Sequence, residues 1–176
     1  MEVLRAVPLD RARPQDRGYL GSHPIQYPEE VMVALALVEL GYDWQYETVT
    51  LREQVMRDDG SLVTRGATCD FFLPRLDVFL EVKLHSNPDF ERSGAPRSNK
   101  GRQRRMALQA GYGFAVIFRL HYDPVVLRRK VEAAIAQAVA AREIARRTFP
   151  DWQERRVWQA VVSNFLIIPT QHAVAV

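Results

Sequence analysis

Three features of this sequence predict an α/β fold: a small mixed β-sheet flanked by helices, with further helices towards the C-terminal end. Segments of helical and strand character follow in the order helix, three strands, helix, strand, helices. Gly, Pro and Asp punctuate the joins between them, at Pro28, Gly41, Asp58-Asp59-Gly60, Pro74, Gly111 and Asp123-Pro124. The 176 residues are 47% hydrophobic and include 8 Phe, 6 Tyr and 3 Trp, which suits one globular core and excludes a disordered chain.

Residues 1–22 mix Pro, Arg, Asp and Gly and read as an irregular arm. Pro28 is placed to open a helix, along which Val33, Ala34, Leu37, Val38 and Leu40 recur at helical spacing until Gly41 closes it. Gln45 to Leu51 reads as a strand from its Tyr, Val and Thr content, and Asp58-Asp59-Gly60 as a turn. Two further strands, Ala67 to Leu73 and Asp77 to Leu84, are joined by Pro74-Arg75-Leu76 as a hairpin. A Gly/Pro/Ser/Asn-rich loop spans Ser86 to Asn99, of a length that usually carries function.

Beyond that loop, a basic helix runs from Asn99 to Ala110, and Phe114 to Leu120 is an apolar strand. Asp123-Pro124 caps a long helix to about Arg147, whose apolar side carries Leu127, Val131, Ala134, Ile135 and Ala138. Pro150-Asp151 begins another helix, with Trp158, Val161, Val162 and Phe165 as packing residues. The expected organisation is an arm over 1–22, a core over 23–122, and a helical extension over 123–176 packed on the same domain.

A single cysteine excludes a disulfide scaffold and points to a reducing compartment. The longest unbroken apolar run, Val31 to Val38, is too short for a membrane span, and the early charged residues leave no room for a secretory signal. The expectation is a cytoplasmic protein with no membrane partner. A net charge of +3 conceals strong segregation. Glu29 to Asp59 holds eight acids against two bases, Arg92 to Arg105 holds six bases and no acid, and Arg128 to Arg156 holds eight bases against four acids. Clustered bases in a balanced chain are the electrostatic footprint of a nucleic-acid binder, although a solvated helix face explains them as well.

The chemistry lies in the stretch from Asp70 to Lys83. Side chains alternate along a strand, so Glu81 and Lys83 share one face while Leu80, Val82 and Leu84 form a core-like face. A hairpin through Pro74 to Leu76 would bring the Asp70 carboxylate beside Glu81. Two carboxylates at one point suit a hard divalent cation such as Mg²⁺, with Mn²⁺ as substitute, and a neighbouring lysine can orient water or offset charge on phosphorus. The bland alternative is a salt bridge on a solvated strand.

The sequence resembles the PD-(D/E)xK, or restriction-endonuclease-like, superfamily of metal-dependent nucleases, over roughly Pro28 to Leu120. Gly66-Ala67-Thr68-Cys69-Asp70 followed by Phe79-Leu80-Glu81-Val82-Lys83 is similar to the pattern in Holliday-junction resolvases, Vsr-like nicking enzymes and virus-type replication-repair nucleases. Cys69 stands where the superfamily's name has proline. The resemblance implies that Asp70 and Glu81 hold the metal with the backbone carbonyl of Val82, that Lys83 is the catalytic cation, and that a first-helix glutamate completes the pocket directly or through water. Glu30 is preferred, because Val33, Ala34 and Leu37 follow it at helical offsets, although Glu29 has Met32, Val33 and Ala36 similarly placed. Gln103 matches a polar residue that many members carry on the second helix.

The resulting expectation is a Mg²⁺-dependent DNA endonuclease acting on double-stranded or branched DNA, with a homodimer expected where both strands are cut. Its DNA contacts would be His85, Arg97, Lys100, Arg102, Gln103, Arg104 and Arg105. The alternative is a non-cleaving nucleic-acid-binding module with a degenerate nuclease fold.

Overall fold

The computed structural model describes residues 19–20, 23–25, 27–47, 49–83, 99–118 and 122–162. Four helices and nine strands follow along these residues, and three of the strands were not expected from the sequence. Strand β1 (Tyr19–Leu20) pairs antiparallel with β2 (His23–Pro24), so the end of the presumed irregular arm forms a short ladder. Helix α1 (Pro28–Glu39) starts with Pro28 in its first turn and ends before Gly41, whose φ of 75° ends the helical path. It is buried all round from Val31 to Leu37, so it is an interior helix.

The expected strand from Gln45 to Leu51 is broken in two. Strand β3 (Gln45–Tyr46) lies at the edge of the central sheet, while β4 (Val49–Met56) belongs to a second sheet. The break falls at Glu47, whose φ is 50°, a left-handed turn that redirects the chain. The expected strand from Ala67 to Leu73 breaks in the same way, into β5 (Leu62–Thr68) in the second sheet and β6 (Phe71–Leu73) in the central one. The two breaks are tied to each other, since the backbone N–H of Glu47 donates to the carbonyl of Asp70 at 2.9 Å. Strand-forming residue types continue through the first crossing and conceal it, although the buried positions change parity between Tyr46 and Val49.

Pro74 to Asp77 forms the expected hairpin turn into β7 (Val78–Lys83), in the register Phe71↔Leu80, Phe72↔Phe79 and Leu73↔Val78. Helix α2 (Asn99–Gln109) crosses to β8 (Gly113–Phe118), which runs parallel to β7, so the central sheet has the order β3-β6-β7-β8 and is mixed. Helix α3 (Pro124–Thr148) is capped by Asp123, whose side chain accepts from the N–H groups of Val125 and Val126. Helix α4 (Trp152–Gln159) is shorter than the sequence implied. It ends at Gln159, and the chain continues as β9 (Ala160–Val162), antiparallel to β4. Val161 and Val162 are therefore strand residues, while Phe165 and the side chain of Trp158 lie outside the described residues.

Strand β7 is buried on both faces. Val78, Leu80 and Val82 join the core under α1 and α3, while Phe79 packs with Met106 and Ala107 of α2 and with Ala110, Tyr112 and Phe114. Strand β8 approaches α3 so closely at Gly113 that a Cβ there would lie 2.1 Å from the carbonyl oxygen of Ala138. At the opposite end of β7 from Lys83, Asp77 accepts from Arg146 of α3 at 2.7 Å and pairs with Arg156 of α4 at 3.2 Å. The Arg156 guanidinium also lies 3.9 Å over the Tyr112 ring. Two helices remote in sequence are thereby fixed to the hairpin that carries the candidate site. Trp44 is a core residue, edge-on to Phe71 at 5.3 Å.

Candidate active site

Three carboxylates are buried where α1, β6 and β7 meet. One step beyond the registered pair Phe71↔Leu80, Asp70 stands across from Glu81 on the same face of the ladder. Asp70 is 7% exposed, Glu81 1% and Glu30 4%. The Asp70 carboxylate folds along the strand and its Oδ2 accepts from the backbone N–H of Val82 at 2.7 Å. Lys83 lies two residues beyond Glu81 on the same side, and its Nζ is 3.0 Å from Glu81 Oε1. Lys83 is the one charged group of the set that reaches solvent, with a side chain 39% exposed. A salt bridge on a solvated strand does not describe this pair, because Glu81 is fully interior.

The first-helix acids are now distinguished. Glu29 and Glu30 are both buried, but Glu30 Oε2 accepts from the Tyr46 hydroxyl at 2.6 Å and is electrostatically coupled to Asp70 and Lys83. Nothing in the sequence signalled Tyr46, which stands sixteen positions away on an edge strand. Register explains its place: Tyr46 pairs with Phe71, the residue after Asp70.

The electrostatics of the pocket follow from burial. Asp70 is pushed up to about 7 from an ordinary 3.8, first by desolvation and then by the charge of Glu81, with Glu30 adding to the rise. The Val82 N–H and Lys83 oppose these effects. Burial also raises Glu30 above the usual carboxylate range, against the pull of the Tyr46 hydroxyl. Interior carboxylates cost stability that apolar residues would not. Their clustering beside a lysine marks a candidate functional site.

The residues expected to contact DNA fare differently. His85 and Arg97 lie outside the described residues, as does the side chain of Lys100. Gln103 is buried, 5% exposed, and its Nε2 donates to the carbonyl of Thr68 at 2.8 Å. It thus faces the end of β5, just before the chain crosses to Asp70, and does not present itself to a ligand on the surface. Arg105 and Arg102 reach Glu53 of β4, at 3.0 and 3.9 Å. Arg104 is exposed.

Among the described residues, no group of three or more His, Cys, Asp or Glu side chains is arranged to hold a metal ion. A Mg²⁺ site does not require one, since that ion commonly takes one or two carboxylates and fills its octahedron with water and substrate oxygens. The donor chemistry would suit such an ion: two carboxylates face each other across a ladder, and Asp70 is raised by burial and then by the charge of Glu81, which a divalent cation would offset.

What the fold and site define is a mixed α/β protein with a buried acidic pocket and a lysine at its rim. No protein-family model, curated protein or solved structure matches the chain. Among the described residues, no helix is long and apolar enough to cross a membrane.

Proposed function

We propose that this protein is a divalent-metal-dependent DNA endonuclease with a restriction-endonuclease-like core, hydrolysing phosphodiester bonds. The observation that carries the reading is the interior pairing of Asp70 and Glu81 across the β6–β7 hairpin with Lys83 alongside. Asp70, Glu81 and the backbone carbonyl of Val82 would hold Mg²⁺ or Mn²⁺, with Glu30 completing the pocket. When bound, the cation supplies Lewis acidity at the phosphate and lowers the pKa of the attacking water.

The chain's own groups do the rest. The Tyr46 hydroxyl holds one oxygen of Glu30 in place. The Val82 N–H fixes one oxygen of Asp70 in the same way. Lys83, anchored on Glu81 but open to solvent, is positioned to meet a phosphate that approaches from outside and to offset the negative charge that grows there.

The test is incubation of supercoiled plasmid with Mg²⁺, Mn²⁺ or EDTA. Wild type is expected to nick it with either metal and not with EDTA. Glu81→Ala and Lys83→Ala are each expected to lose at least a hundredfold in rate, while Lys83→Ala leaves DNA affinity in EDTA within about threefold. Equal nicking by wild type and Glu81→Ala overturns the assignment of the site. The second reading is a non-cleaving nucleic-acid-binding module that keeps the basic helix α2 as its binding surface. It predicts metal-independent binding and no nicking under any of these conditions.

A further inference from the structure

Strands β4 and β5 pair along seven residues, and beyond Leu51, where the pairing of β4 with β9 ends, they continue as a two-stranded ribbon. One of its faces carries Leu51, Glu53 and Val55 from β4 and Val63, Arg65 and Ala67 from β5, by the register of the ladder. Leu51 and Ala67 pack into the core that holds Met106 and Ala107, so this face turns towards α2. There Glu53, its side chain only 12% exposed, meets Arg105 at 3.0 Å and Arg102 at 3.9 Å. Arg65 stands directly opposite Glu53 in the ladder, exposed, and takes part in no ion pair among the described residues. Two guanidinium groups therefore meet one carboxylate, with a third arginine directly across the ladder from it.

The cluster is joined to the candidate site. Gln103, between Arg102 and Arg105 on α2, holds the Thr68 carbonyl at the end of β5, and Asp70 follows two residues later. Arg65 is five residues before Asp70, at most about 17 Å along an extended chain. A nucleic-acid strand advances about 3.4 Å per nucleotide along the axis, so a backbone crossing the acidic pocket passes the arginines within about five nucleotides.

We propose that Arg65, Arg102 and Arg105 form a phosphate-binding cradle for duplex DNA, and that Glu53 is its internal counter-ion, holding two of the arginines until a phosphate displaces it. This rests on the nuclease reading and extends it to how the substrate is held. The ribbon favours DNA over RNA, because the wide major groove of B-form DNA admits a two-stranded β-ribbon while the A-form groove is too narrow. Glu53 then sets affinity: it keeps the arginines ordered and makes each phosphate contact compete with a carboxylate.

The experiment is fluorescence anisotropy on a labelled 25-base-pair duplex in EDTA, over a series of salt concentrations, so that binding is read separately from cleavage. Each phosphate contact contributes a slope of about 0.9 in log affinity against log salt, or about 3–4-fold between 50 and 200 mM. Arg65→Gln, an exposed substitution with no folding penalty expected, should weaken binding and lower the slope by about one contact. Glu53→Gln should strengthen binding several-fold and steepen the slope by one to two contacts. Arg52→Gln, on the opposite face of the ribbon, should change neither. The proposal is overturned if Glu53→Gln leaves affinity and slope unchanged or lowers them, or if Arg52→Gln costs as much as Arg65→Gln. Equal affinity for duplex RNA of the same sequence overturns the choice of DNA. Loss of plasmid nicking with these binding effects intact refutes the nuclease reading alone.

Discussion

Replacing Asp70 by asparagine removes a charge and keeps the shape, since the amide oxygen can still accept from the Val82 N–H. Asp70 takes its proton near pH 7 in the folded protein and at an ordinary 3.8 when unfolded. Between those two values the native state binds a proton that the unfolded state does not, so stability falls as pH rises through this window. Below 3.8 both states are protonated and the contribution is fully present; above 7 both are ionised and it is gone. At about 1.4 kcal/mol per pH unit, an ionised Asp70 at pH 8 costs about 4 kcal/mol relative to its contribution at low pH.

Asparagine removes that cost. In EDTA at pH 8, Asp70→Asn is expected to melt higher than wild type, by up to about 8–16 °C at 2–4 °C per kcal/mol for a chain of this size. The gap should shrink towards zero by pH 4. All other titrating groups are common to both proteins, so the difference reports Asp70 together with its coupling to Glu81 and Glu30. Thermal unfolding followed by circular dichroism at pH 4, 6 and 8 measures it. Mg²⁺ in hundredfold excess over its dissociation constant should then raise wild type at pH 8 by about 2.7 kcal/mol and leave the variant unchanged. A variant that melts at or below wild type at pH 8, or a gap that does not change with pH, refutes the account of this pocket as charge-strained.

Two other substitutions separate the site from its support. Tyr46→Phe removes the donor that favours ionised Glu30, so Glu30 should hold its proton to higher pH. The half-saturating Mg²⁺ concentration in plasmid nicking should rise several-fold at pH 7, with a stability loss of only about 1 kcal/mol. Gly113→Ala places a methyl group against the Ala138 backbone and should cost about 1–3 kcal/mol or more in urea unfolding, by forcing α3 away from β8.

The helices were legible because their signals are local. Pro28 and Gly41 bound α1, Asp123-Pro124 opens α3, and Gly111, with a φ of 71°, closes α2. The β6–β7 hairpin and its paired acids could be read from the Pro74 turn together with strand alternation. The crossings between sheets at Glu47 and at Cys69–Asp70 could not, since they depend on a hydrogen bond between segments more than twenty residues apart. Strand β9 was hidden for the same reason: its three residues gain strand character only by pairing with β4.

Charge shows the division most clearly. Read along the chain, an acidic segment from Glu29 to Asp59 is followed by a basic one from Arg92 to Arg105, as if they were two separate surfaces. Folding brings parts of both together, because Glu53 of the acidic segment lies against Arg102 and Arg105 of the basic one. The sequence by itself determined the residue types and their alternation, and hence that Asp70, Glu81 and Lys83 could share a face. Only the tertiary structure decided that Glu30 rather than Glu29 joins them, that Tyr46 holds it, and which arginines are already paired. Those outcomes depend on distances between elements remote in the chain, and no local propensity encodes them.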